Sequence, residues 1–130
     1  MKKKFISVII SISMLLAVIN PLLISAASSV WTGGTAAPSQ SGGYYQINSA
    51  ENLAWFANRV NSGDSSIKAK LVNDIMLNYG STGREWTPIG SQSKPFKGEF
   101  DGNGHYISGV YVNSNAEYSG LFGYVAPDMP

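Results

Sequence analysis

The stretch Pro95-Phe96-Lys97-Gly98-Glu99-Phe100-Asp101-Gly102-Asn103-Gly104-His105-Tyr106-Ile107-Ser108-Gly109 decides how the fold reads. Phe96, Gly98 and Phe100 alternate with Lys97, Glu99 and Asp101, so an extended segment here has one apolar and one charged face. Asp101-Gly102-Asn103-Gly104 then signals a turn, because Asp-Gly and Asn-Gly both favour positive φ. Beyond it the apolar period slips by one at Ser108-Gly109, with Ile107 before the slip and Val110 and Val112 after it. A slip at a glycine marks a strand bending round a corner. Further on, Leu121 and Phe122 sit between Gly120 and Gly123. Short strands with one or two buried side chains each, cornered by Gly, Asn and Asp, predict an all-β solenoid rather than a sandwich.

Working back towards the N-terminus, Ile67, Ala69 and Leu71 alternate with polar residues, and Ile75 and Leu77 resume the alternation after Asn73-Asp74. This reads as a strand with a kink or bulge. Trp86 to Gly90 reads as a short extended piece in which Pro88 forbids a central ladder position. Tyr44 to Ile47 is a strand signal. Between Asn48 and Gly63 lies the helical exception: Leu53, Phe56, Ala57 and Val60 repeat at i, i+3, i+4 and i+7. Asn48 with Glu51, or Ser49 itself, supplies the N-cap, and Gly63 the stop. Trp55 lies off that stripe and reads either as packing at its edge or as a binding aromatic.

The N-terminus is an export signal. Lys2, Lys3 and Lys4 precede an apolar run from Phe5 to Val18, and Ser25-Ala26-Ala27 places small residues for cleavage after Ala27. An uncleaved signal anchor is the alternative, disfavoured by the shortness of the apolar run. Residues 28–43, almost all Gly, Ser, Thr, Ala and Pro, read as a flexible leader in which Trp31 is the odd member. Residues 44–125 form the folded unit and 126–130 a tail.

Removing residues 1–27 takes three of the nine basic side chains, leaving six against eight acidic ones, a net charge of −2. A weakly acidic chain without a Lys/Arg cluster lacks the footprint of a nucleic-acid binder. No second run approaches the roughly 18 apolar residues of a membrane span, so no membrane attachment is read after signal cleavage. The absence of Cys excludes disulfides, thiol nucleophiles and a lipobox. Secretion, or exposure at the cell surface, is the predicted location.

The pieces YYQINSAENLAWFANRVNSG, AKLVNDIMLN, WTPIG, PFKGEFDGNGHYISGVYV and GLFGYV, in that order, cover nearly all of the chain from Tyr44 to Val125. In them the chain resembles the N-terminal portion of bacterial exported GLUG-motif repeat proteins. The resemblance implies a right-handed parallel β-helix begun by one capping helix. It also implies that Asp101, Gly102, Asn103 and Gly104, with Gly120, Leu121, Phe122 and Gly123, are the coil signature. This chain carries one such unit. The 62 residues from Asp64 to Val125 amount to about two or three coils, near the minimum for a stable stack. The chain therefore reads as the front of a longer repeat protein, with self-association through the open last coil as a consequence.

No catalytic or cofactor site is read from the motifs. Asp101-x-Asn103-Gly104 fails the EF-hand spacing in both registers, and Gly102-x-Gly104 lacks the third glycine of a dinucleotide fingerprint. His105 is the lone histidine, too few for a zinc site without Cys, and no G-x-S-x-G elbow accompanies it. Glu99 and Asp101 share a strand face, as carboxylates of polysaccharide-degrading β-helices do, but beside Lys97 they read as a solvated face. Aromatics remain as contact candidates: Trp86, Tyr111 and Tyr118 foremost, with Tyr106 and Tyr124. These observations predict an exported, non-catalytic module for adhesion, or for contact with a cell-wall glycan, host glycan or surface protein. The alternative is the forepart of a larger secreted enzyme, a polysaccharide-degrading β-helix or an IgA-type metallopeptidase, with its catalytic part elsewhere.

Overall fold

A computed structural model describes residues 30–80, 83–113, 115 and 117–127. The signal segment and its cleavage residue Ala27 lie outside the described residues.

Helix α1, Ala50–Asn61, forms where the apolar stripe places it. Ser49 is the N-cap, extended at φ −146°, and its Oγ accepts from the Asn52 N–H at 3.2 Å. Asn52 Oδ1 in turn accepts from the N–H of Asn48, the residue before the cap, at 3.2 Å, so Asn52 rather than Glu51 reaches back across the helix start. Leu53, Phe56 and Val60 on the inner side of the helix are fully buried. Next to them lie the inward residues of a sheet made from β1 (Gln40–Ser41), β2 (Tyr44–Ile47), β3 (Lys68–Leu71) and β5 (Glu99–Asp101), in the order β1-β2-β3-β5. Strands β4 (Ile75–Met76) and β6 (Ile107–Ser108) form a separate parallel pair.

This corrects the all-β, right-handed parallel β-helix expected from the sequence. The described residues hold two small sheets and one helix, with no closed or solenoid sheet. The larger sheet is mixed: β1 pairs antiparallel with β2, whereas β2-β3 and β3-β5 are parallel. The physical reason is the shortness of every ladder. Strands of two to four residues are cut off by glycines, as at Gly42, Gly102 and Gly109, and by the Asn73-Asp74 break, so the pairings stay separate. Trp86–Gly90 and Tyr118–Val125, read as extended pieces, form no strand of either sheet: Ile89 makes an isolated parallel bridge to Phe122, and Phe96 makes another to Val125.

The core consists of Ile47, Leu53, Phe56, Val60, Leu71, Ile75, Leu77, Trp86, Ile89 and Phe96, with the alanines of α1 and Ala69. Phe96 stacks against Phe56 and Phe122 at 5.8 and 5.5 Å between ring centroids. Two asparagines clamp loops to this core. The Asn61 Nδ2 donates to the Pro88 carbonyl at 3.0 Å while its Oδ1 accepts from the Gly90 N–H at 2.8 Å. Buried Asn78 donates to the carbonyls of Arg84 and Gly109 and accepts from the Arg84 N–H, at 2.7 to 2.9 Å. Each amide thereby satisfies its own buried polar atoms while fixing a turn.

The stretch expected as a leader makes specific contacts. The Trp31 indole packs edge-on against Trp86 at 5.6 Å, and its N–H donates to the Gly34 carbonyl at 2.9 Å. Ala36 exchanges hydrogen bonds with α1, donating its N–H to Glu51 O and accepting from Asn52 Nδ2.

Candidate functional site

The turn at Asp101 to His105 is built by its own side chains. Asp101 Oδ1 accepts from the Asn103 N–H at 2.8 Å, and the His105 N–H closes back on the Gly102 carbonyl at 2.8 Å. Asn103 and Gly104 both take positive φ, 48° and 74°, the left-handed pair that Asn-Gly accommodates with little strain. The Asn103 side chain reaches back 32 residues in sequence to donate to the Leu71 carbonyl at 3.1 Å. His105 Nδ1 lies 3.0 Å from Asp74 Oδ1, which also accepts from the Tyr106 N–H at 3.2 Å. The Asn103 and His105 side chains and the Tyr106 N–H thus tie the turn to the Leu71–Asp74 segment.

The outward face of the sheet carries the charge. In register, Lys68 stands opposite Glu99 and Lys70 opposite Asp101, with Nζ to carboxylate distances of 2.7 and 3.4 Å. The Tyr44 hydroxyl donates to the other oxygen of Glu99, and the Lys68 and Lys70 ammoniums lie 5.6 and 5.9 Å from the Tyr44 ring centroid. Hydrogen bonds from Lys68 and then Tyr44 hold the Glu99 carboxyl below the usual carboxylate range. The hydrogen bond to Glu99 raises both Lys68 and Tyr44 above their ordinary values. A carboxylate stabilised in its ionised form is a poor proton donor, so Glu99 is badly placed as a general acid. Among the described residues, no group of three or more His, Cys, Asp and Glu side chains is arranged to hold a metal ion.

The aromatic candidates divide. Trp86 is 2% exposed, and its indole N–H donates to the Leu121 carbonyl at 3.1 Å, so it is a core residue and offers no surface to a ligand. Tyr111 is half-buried, with its carbonyl accepting from the Trp86 N–H at 2.7 Å. Tyr118 is 38% exposed and packs edge-on against Tyr124 at 5.4 Å. Tyr79 and Tyr106, at 67% and 63%, are the most exposed of the large apolar side chains. Tyr79 carries no periodic signal in sequence, and its exposure follows only from the loop held by Asn78. On α1, half-buried Trp55 lies between Tyr45 at 5.0 Å and the Arg59 guanidinium at 5.5 Å.

The chain is 34% identical over 101 residues to a protein of Evansella cellulosilytica described as "Putative Gly-rich membrane protein". The match covers 75% of this chain and 11% of that protein, so the shared sequence is one small part of a much longer polypeptide there. No family model matches the chain, and no solved structure matches it. The residues that build the site belong to the sheet face and the turn, and among the described residues no helix is long and apolar enough to cross a membrane.

Proposed function

We propose that the chain is an exported, non-catalytic module, secreted or displayed at the cell surface, that contacts glycan through its exposed tyrosines. The similarity to GLUG-motif proteins in the coil signature supports export and a surface role. The observation that carries the contact role is the sorting of aromatics by type. Every exposed large aromatic among the described residues is a tyrosine, Tyr79, Tyr106 and Tyr118, whereas Trp86, Phe56 and Phe96 are enclosed. A tyrosine offers a rigid apolar face with a hydroxyl at its wet end, suited to the mixed polar and apolar surface of a sugar. The pairing of Glu99 and Asp101 with lysines, and of His105 with Asp74, supports a structural rather than catalytic use of those groups.

Binding of the purified chain to cell-wall polysaccharide and to a glycan array tests this. A tyrosine-dependent interaction weakens about threefold to tenfold in Tyr106→Ala or Tyr118→Ala with the fold intact. Binding unchanged in both variants, and in Tyr79→Ala, removes the tyrosine account. Turnover of a polysaccharide by the chain removes the non-catalytic one.

A further inference from the structure

Of the chain's asparagines, Asn103 alone precedes a glycine. That pair sets an electrophile, the side-chain amide carbon, one residue before the least hindered backbone nitrogen a chain offers. Both residues are exposed, and a Cβ built on Gly104 would meet nothing within 4 Å, so solvent reaches both the amide and the nitrogen. The fold nevertheless holds the amide elsewhere. Asn103 Nδ2 donates across the turn to the Leu71 carbonyl at 3.1 Å, while the Asn103 N–H is fixed on Asp101 Oδ1 at 2.8 Å. Swinging Cγ onto the Gly104 nitrogen requires the bond to Leu71 to open first.

The neighbouring candidates are weaker. Asp101 also precedes a glycine, but its carboxylate, beside Lys70, is a poor electrophile. Asn61 precedes Ser62, and both ends of its amide are bound to the loop from Pro88 to Gly90.

We propose that Asn103-Gly104 is a self-modification site, gated by the hydrogen bond from Asn103 to Leu71, whose reaction unfastens the turn from the core. The Gly104 nitrogen gives its proton to water or hydroxide and attacks Asn103 Cγ. The Cγ–Nδ2 bond breaks and Nδ2 leaves as ammonia, giving a cyclic imide. Water opens the imide at either carbonyl, to aspartate or, with the backbone rerouted through the side chain, to isoaspartate. Either product removes the donor to Leu71 and sets a carboxylate, which only accepts, against that carbonyl. It also places a new negative charge close to Asp101, whose Oδ1 holds the same residue's N–H. Isoaspartate further lengthens the backbone ahead of His105 and Tyr106, whose hydrogen bonds to Asp74 are the other fastenings of the turn.

The test incubates the full chain at mildly alkaline pH, folded and in urea. Peptide mapping then follows each asparagine for the mass of an amide-to-acid conversion and for isoaspartate. Asn103 is expected to convert before any other asparagine in the folded chain, and about tenfold or more faster in urea, where the gate is gone. The converted protein, separated by ion exchange, is expected to show faster hydrogen exchange from Glu99 to Ser108 with α1 unchanged. Asn103 remaining intact in the folded chain while the urea sample converts overturns the proposal. So do equal rates in the two samples, or unchanged exchange in the converted form.

Discussion

Residues 30–96 and residues 97–127 are built to different densities. Every fully buried apolar side chain belongs to the first region, from Ile47 to Phe96, and from Lys97 onward no described side chain is fully buried. Phe100, Ile107, Val112, Leu121 and Phe122 are half-buried, touching the core from one side. The first region has a helix and a sheet face closing on each other. The second is laid over that body through parallel pairing, aromatic contact and asparagine clamps. Stability is therefore concentrated in the first region, and the second is positioned by it.

This difference can be broken most severely in the core. Phe56 packs between Phe96 and Phe100 and is fully buried, so Phe56→Ala is expected to cost about 3–5 kcal/mol in denaturant unfolding, a loss that unfolds a marginal domain. Phe122→Ala, removing a half-buried ring from the same aromatic cluster, is expected to cost about 1–2 kcal/mol. Equal losses would contradict the two-density description.

At the seam between the regions, Gly109 takes φ +72° with its Cα against the backbone of Asn78, where a Cβ would lie 2.7 Å from the Asn78 carbonyl carbon. Gly109→Ala is expected to cost about 2 kcal/mol or more, read as a lowered midpoint, because conformation and space both oppose the methyl group. Asn78→Ala leaves part-buried backbone groups of Arg84 and Gly109 without this partner and is expected to cost about 1–3 kcal/mol. Within the first region, Ser49→Ala removes the N-cap of α1 for about 1 kcal/mol.

The smallest effect, and the most pH-specific, belongs to the Tyr44, Lys68 and Glu99 group on the surface. The Glu99 carboxyl is lowered from its ordinary value of 4.5, so its contribution is present above that value and is lost as pH falls through the lower folded one. Lys68 and Tyr44 are raised from 10.5 and 10.0, so their contributions are complete below those values and are lost as pH rises through the raised ones. Glu99→Gln is therefore expected to differ from the parent chain in thermal midpoint near neutral pH and to converge with it in acid. The difference should also shrink with salt, as for any exposed ion pair. A difference that persists in strong acid would contradict the assignment.

How much was legible in the sequence depends on the range of the interaction. Helix α1 was legible because its stripe, cap and stop are local, and β2 and the Asn103-Gly104 turn for the same reason. The break at Asn73-Asp74 likewise separates β3 from β4 as the alternation implied. The sheet architecture was not legible. Ladders of two to four residues leave their closure to packing that no single strand encodes. Trp86 was misjudged for a related reason. A tryptophan beside Pro88 in a polar loop carries no local burial signal, and its enclosure comes from Trp31, 55 residues earlier, and Leu121, 35 residues later. The Lys68 and Lys70 columns became partners of Glu99 and Asp101 only through a register that joins residues 31 apart.

Native-state hydrogen exchange resolved by residue tests the central claim most directly. Amides of α1, β2 and β3 are expected to exchange only through global unfolding, whereas those from Glu99 to Val125 exchange through smaller openings with clearly lower free energies. Uniform protection across residues 44–125, or strongest protection in β5 and β6, would contradict an account in which a closed core carries a half-buried second layer.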